Sequence, residues 1–222
     1  MHDITLVIPA KSEADSLPKV LKELGKFSVK KIIVTQKDDI LTIKSIKKYK
    51  SKIIFQKKDG YGSALNQGIL SVKTKYFCIF NADGAFNPKY LKKMREKLKK
   101  DNDFIFNSRY GKNAGSDDDT VLTFIGNKIF TFICNTLFNL NISDVLFTYV
   151  MGSTKAYKNL NIISRDFSFC VELPIKAKFM KYKMLCLPSH ERPRIAGKKK
   201  VNEFKDGFLI LISIIRLFIF KK

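Results

Sequence analysis

Asn81 and Asp83 are the residues whose types and spacing suit chemistry best. They sit two apart with the small Ala82 between them, so an extended backbone points both the same way. An amide oxygen and a carboxylate converging on one point can hold a hard cation such as Mg2+ or Mn2+, with substrate phosphates completing its shell. They follow Tyr76 to Phe80, five apolar or aromatic residues without alternation. Such a run reads as a strand buried on both faces. Short polar side chains and Gly84 then fall just past the carboxyl end of that strand, where open α/β sheets bind ligands. The same stretch also reads as a plain strand-to-helix turn, with Asp83 or Asn87 capping a helix that Pro88 opens.

The elements that must position these residues come in alternation. Strands are expected at Ile4 to Ile8, Lys31 to Thr35, Lys52 to Phe55, Tyr76 to Phe80 and Phe104 to Phe106. Between them lie a helix capped by Ser16 with Pro18 in its first turn and Gly25 as its stop, a helix capped by Asp38 or Asp39, a small-residue helix after the glycine turn at Gly60, and a helix from Pro88 to Lys100. This βαβαβαβαβ order predicts a mostly parallel, doubly wound sheet with its ligand loops on one edge. The second half changes character. A polar loop with three adjacent aspartates precedes a strongly apolar helix over Thr120 to Leu140. A strand around Val145 to Val150, a helix around Phe169 to Phe179 and a strand over Lys183 to Leu187 follow.

The chain of 222 residues carries 42 Lys and Arg against 20 Asp and Glu, a net charge of +22. That charge suits nucleic acid, an anionic membrane surface or phosphorylated substrates. Against nucleic acid, no recognised binding module is present and the aromatics lie in apolar runs. Four widely spaced cysteines and two histidines argue against zinc. The start reads as a strand interrupted by Pro9, not as a signal peptide.

The motifs, in order, resemble family-2 glycosyltransferases, in particular the dolichyl- or polyprenyl-phosphate mannosyltransferase-like branch. VIPAKSEADSLP resembles the family's V-I-P-A-x-N-E, KKDGYGSALNQGI its G-x-G-x-A segment, IFNADGAFNP its D-x-D followed by proline, NSRY its G-S-R, and RIAGKKKV its R-x-x-G-x-S-K. The resemblance implies a GT-A type three-layer α/β sandwich over residues 1–202, with a nucleotide-sugar half (1–110), an acceptor half (111–202) and a C-terminal amphipathic helix (203–222). It implies that Pro9, Ala10, Glu13, Gly60 and Gly62 line the donor pocket, the glycines by letting the backbone approach the donor. Asp83 and Asn81 would hold Mg2+ or Mn2+. Arg109, Arg194 and Lys200 would hold phosphates, and Glu172 would position or act as a base. Three departures stand out. Thr35-Gln36 replaces the usual aspartate pair, so that Asp38 or Asp39 is left to contact the base. Asn81 replaces an aspartate, and Lys199 replaces a serine.

The implied reaction is inverting transfer of a sugar from a nucleotide-diphosphate donor to a polyprenyl phosphate at the cytoplasmic face of a membrane. The alternatives are transfer to a sugar hydroxyl in cell-surface polysaccharide synthesis and a non-catalytic basic nucleic-acid-binding protein. Gly207 to Phe220 is almost wholly apolar, with Asp206, Ser213 and Arg216 on one stripe and lysines at both flanks. It reads as an interfacial helix on anionic lipid, or as a terminal helix packed on the core or in a homo-oligomer.

Overall fold

The computed structural model describes residues 1–197 and 200–220. The first half alternates as the sequence predicts: β1 (Ile4–Ala10), α1 (Leu17–Leu24), β2 (Lys30–Thr35), α2 (Ile40–Ser45), β3 (Lys52–Phe55), α3 (Tyr61–Leu70), β4 (Tyr76–Ile79), α4 (Tyr90–Lys99) and β5 (Phe104–Ser108). Then come β6 (Gly115–Ser116), α5 (Val121–Phe138), β7 (Val150–Ser153), α6 (Thr154–Asn159), α7 (Phe169–Phe179), β8 (Met184–Pro188), β9 (His190–Glu191) and α8 (Glu203–Phe220).

The central sheet has the order β3-β2-β1-β4-β7-β5-β8. Only β7 runs antiparallel, between β4 and β5. Alternation along the strands feeds two cores. Ile4, Leu6, Ile8 and Cys78 pack beneath α1 and α4. Val7, Val34, Phe77 and Ile79 pack against α3, α6 and α7 on the other face. A separate pair, β6 with β9, stands over the carboxyl edge of the sheet.

Several local expectations shift. Asp39, not Asp38, caps α2, accepting from the Thr42 N–H at 3.3 Å. Ser16 does not cap α1; its hydroxyl donates to the Glu13 carboxylate at 2.5 Å. The strand expected over Val145 to Val150 begins only at Val150. Leu146, Phe147 and Thr148 instead form a buried or half-buried wall facing the ligand edge.

The C-terminal helix differs most. Ile210, Ile214 and Leu217 are buried against α5 and α7. Asp206 and Ser213 recur at the same spacing, so they turn toward this docked side and are half-buried, while Arg216 is exposed. The polar stripe therefore does not form the solvent face that the sequence suggested. Phe204, Phe208, Ile212, Ile215, Phe218 and Ile219 point outward, with Phe204 82% exposed. Helix α5 continues this apolar face with Val121, Ile125, Ile129 and Phe132. The flanking Lys198, Lys199, Lys221 and Lys222 lie outside the described residues.

Gly68 marks the tightest helix-to-sheet approach. A Cβ there would meet the Val7 side chain at 2.4 Å and Val34 at 2.8 Å. Gly68→Ala gains up to ~1 kcal/mol of helix propensity but overpacks a closed core at about 1–3 kcal/mol. We expect net destabilisation in urea unfolding; a variant more stable than wild type would show that the α3 contact is slack.

Candidate active site

A cavity of about 390 Å³ opens at the carboxyl ends of β1, β2 and β4. Pro9 and Ala10 end β1, Glu13 follows it, and Gln36 follows β2. Gly60 opens α3, and Asn81 and Asp83 follow β4. Arg109, from the end of β5, and Arg194 and Lys200, from the basic segment, border the same cavity. Apart from Gln36, these are nine residues that the sequence singled out, and the fold brings them from distant stretches to one place.

Three others are not. Asp38 is exposed and outside the lining, because Asp39 turns inward to cap α2 and to accept from the Ser12 N–H at 2.7 Å; Gln36 borders the cavity instead. Gly62 is buried beside the 164–166 loop, where a Cβ would meet the Asp166 carbonyl at 2.6 Å. Gly60 lines the cavity, but its φ of +108° and the 2.1 Å at which a Cβ there would meet the Arg165 carbonyl show the same cause. These glycines let α3 meet that loop. Glu172 is 1% exposed and faces away from the cavity. Its carboxylate accepts from the Ile163 and Ser164 N–H groups at 3.0 and 2.7 Å and pairs with Lys176 at 2.8 Å. It props the loop that carries the carbonyls facing Gly60 and Gly62.

Asp83 is buried at the cavity floor. Its Oδ1 accepts from the Ala85 N–H at 3.0 Å, and Oδ2 lies 3.4 Å from Arg194. Burial pushes its carboxyl above the ordinary value, with Glu13 and Asp118 adding to the rise and Arg194 opposing it. The Asn81 oxygen accepts from the Tyr61 hydroxyl at 3.5 Å; that hydroxyl is 2.8 Å from Thr148, and the Tyr61 ring stacks on Phe167 at 4.8 Å.

The three cations are each engaged by acids. Arg109 is gripped by Asp144 through Nε at 2.8 Å and Nη2 at 3.0 Å, with Glu191 at 3.4 Å and Asp119 at 3.7 Å. Arg194 makes a two-nitrogen clasp on Asp118 at 2.9–3.1 Å. Lys200 pairs with Glu13 and donates to the Lys11 carbonyl. Asp118, Asp119 and Glu191 line the cavity and were not singled out from the sequence, although the run Asp117-Asp118-Asp119 was a visible signal. Glu191 reaches the edge because β9 pairs with β6; its Oε2 accepts from Ser116 at 2.6 Å, and burial raises its carboxyl above the ordinary value.

Among the described residues no three His, Cys, Asp or Glu side chains group as a metal cage. Asp83 and Asn81 fit a divalent ion only in part, as two oxygen donors whose shell a diphosphate would complete. All four cysteines are free, and burial pushes Cys170, beside the cavity, up to about 12.

A parallel sheet with this edge cavity is the architecture of a GT-A-like nucleotide-sugar transferase. Residues 5–160 match the family model described as Glycosyl transferase family 2, and the chain belongs to that family. It is a glycosyltransferase. Uncharacterised glycosyltransferases of Mycobacterium tuberculosis and Mycobacterium bovis are 26% identical over 211 residues, covering 94% of this chain and 94% of each relative. Among solved structures, glucosyl-3-phosphoglycerate synthase of M. tuberculosis with Mn2+, UDP-glucose and phosphoglyceric acid superposes with a TM-score of 0.73 at 12% identity, covering 97% of this chain and 79% of that one. The same enzyme with Mg2+ and UDP gives 0.71 at 12% identity, covering 96% and 78%. At that identity the likeness carries the fold.

Two outcomes follow from the burial of these acids. Glu172→Gln should lose about 1–3 kcal/mol of stability in urea while turnover stays within a few fold of wild type; a turnover loss of a hundredfold in a stable variant would return Glu172 to the reaction. Asp83 has a raised folded-state value, so its stabilising share is present below the unfolded value and is lost as pH rises through the folded one. Asp83→Asn should therefore be at least as stable as wild type near pH 7 while sugar transfer falls by about a hundredfold or more. A melting temperature well below wild type at that pH would show that the Arg194 pair outweighs the cost of burial.

Proposed function

We propose that this chain transfers a sugar with inversion from a nucleoside-diphosphate sugar to a hydroxyl of an acceptor at a membrane surface. The supporting observation is the charge pairing in the cavity. A phosphate acceptor, already ionised, needs uncommitted cations and no base. Here Arg109 and Lys200 are paired with acids, Arg194 keeps two of its nitrogens on Asp118, and Asp118, Asp119 and Glu191 add carboxylates, against which the exposed Lys11 is the one lining cation among the described residues with no acid partner. A hydroxyl acceptor needs such a carboxylate. In one displacement the acceptor oxygen bonds to the anomeric carbon, the bond to the diphosphate breaks, and the acceptor proton passes to a carboxylate. Glu191 suits that duty, because a raised pKa brings a base nearer the working pH. Asp83 and Asn81 would be the residues to hold a divalent ion, which would supply charge stabilisation to the leaving diphosphate. The M. tuberculosis neighbour, a glucosyl-3-phosphoglycerate synthase solved with UDP-glucose and phosphoglyceric acid, supports a nucleotide-linked donor and shows that this fold serves acceptors other than a polyprenyl phosphate.

A second reading, transfer to a polyprenyl phosphate, draws on the α5–α8 face. Exposed Phe132, Phe204, Phe208 and Ile219 form a continuous apolar surface, and Thr123, Asn127 and Ile210 of the same two helices line the cavity. Among the described helices only α5 is long and apolar enough to cross a membrane, yet its inner residues wall the cavity. We infer that this face rests on an anionic bilayer at the cytoplasmic side, drawn there by the +22 net charge, with no role for nucleic acid. Either acceptor can reach the site from such a surface.

Incubation with UDP- and GDP-linked sugars, Mg2+ or Mn2+, and either polyprenyl phosphate or a glycan lipid lacking a phosphate monoester separates the readings. Transfer to the glycan lipid alone is expected; labelled polyprenyl phosphate would overturn the hydroxyl reading. The full chain should co-float with vesicles containing anionic lipid at low salt, and the double variant Phe132→Ser, Phe208→Ser should float several-fold less. A stable dimer that ignores vesicles would give the face to a second copy.

A further inference from the structure

The basic segment is fastened to the loop that carries Asp83. The Arg192 N–H donates to the Ala85 carbonyl at 2.9 Å, and the Ile195 N–H donates to the Asp83 carbonyl at 2.8 Å. The Arg192 guanidinium reaches the Gly84 and Phe86 carbonyls at 2.8 and 2.9 Å and forks onto Glu23 at 2.9 and 3.0 Å. Ile195 lies over Gly84, where a Cβ would come within 2.4 Å of its side chain, and Gly84 has a φ of +86°. Arg194 stands between those two backbone bonds. Its position relative to Asp83 is therefore set by the backbone on both sides and by Asp118 at the tip.

Within this mounting the guanidinium is only partly spent. Nε and Nη2 are on Asp118, while Nη1 lies 3.4 Å from Asp83 Oδ2 as an ion pair without a hydrogen bond among the described residues. The other cavity arginine, Arg109, is clasped by Asp144 and flanked by two further acids. A cation thus already stands beside the one carboxylate at the end of β4, next to Asn81, which brings no charge.

Resting on the nucleotide-donor reading above, we propose that Arg194 is a built-in counter-cation for the donor's diphosphate, so that this chain binds its nucleoside diphosphate without a divalent ion. Its Nη1 donates to a diphosphate oxygen while Nε and Nη2 keep their hold on Asp118. The guanidinium and a metal at Asp83 share one anion, so each weakens the need for the other. Loss of Arg194 makes nucleotide binding depend on metal, and loss of metal leaves binding dependent on Arg194. A charge-assisted hydrogen bond of this kind is worth roughly ten- to a hundredfold in affinity.

The test is calorimetric titration of the full chain with UDP and with GDP, first in EDTA and then in excess Mg2+ or Mn2+. Wild type should bind one of the two in EDTA, with metal tightening it by about tenfold or less. Arg194→Gln should lose roughly ten- to a hundredfold in EDTA and recover most of it with metal. Arg194→Lys, which keeps the charge without the fork, should fall between them. Melting curves of each variant without ligand separate loss of binding from loss of fold. Wild-type binding that requires metal overturns the inference, as does an Arg194→Gln variant that binds in EDTA like wild type. Binding of neither nucleotide in any condition overturns the donor reading and this inference together.

Discussion

The ion pair between Arg109 and Asp144 is the interaction on which one wall of the cavity depends. Asp144 is fully buried and takes three hydrogen bonds from Arg109, one from its backbone and two from its guanidinium. Breaking a buried pair by removing one partner typically costs about 3–5 kcal/mol, because the other charge stays behind without compensation. This pair joins the end of β5 to the loop before β7. Through Arg109 it also holds Glu191 on β9 and Asp119 ahead of α5. The ring of Phe147 lies under the guanidinium at 4.7 Å, so the wall that displaces the expected strand is part of the same assembly.

The donor side is built on a different constraint. Strands β1 and β4 end side by side in register, so the loops after them emerge at one edge. Glu13 and Asp83 are then buried near each other's fields, and Lys200 and Arg194 offset them from the basic segment. A protein of net charge +22 thus concentrates carboxylates in its cavity and leaves most of its described lysines on solvated faces. The cavity charges hold their geometry because each has a partner in a low-dielectric setting.

The exposed large apolar side chains are concentrated on α5 and α8. Monomeric proteins rarely leave so many large side chains exposed in one contiguous patch. Its nearness to the cavity is enforced by packing, since Ile210 serves both the core and the cavity wall.

The sequence by itself determined the alternation of strands and helices in the first half, the mostly parallel sheet, the edge at which the cavity opens, and the family, but not the strand order, in which β7 comes between β4 and β5. Those rest on local signals: unalternated apolar runs, glycine turns and five motifs in order. Pro9, Ala10, Glu13, Gly60, Asn81, Asp83, Arg109, Arg194 and Lys200 were all legible in that way. Only the tertiary structure decided which charges oppose which. Arg109 meets Glu191 across 82 residues and Arg194 meets Asp118 across 76, and nothing local encodes such a meeting. Glu172 looked chemical because it stood alone on an apolar helix, yet burial turned it into a support for a loop. Asp38 and Asp39 are neighbours of one type, and the turn of the backbone alone chose which faces inward. The last helix offered a polar stripe and apolar faces, but a periodicity names a face without naming what covers it. Docking on α5 and α7 buried Ile210, Ile214 and Leu217, drew Asp206 and Ser213 half-way in with them, and left Arg216 outside with Phe204, Phe208 and Ile219.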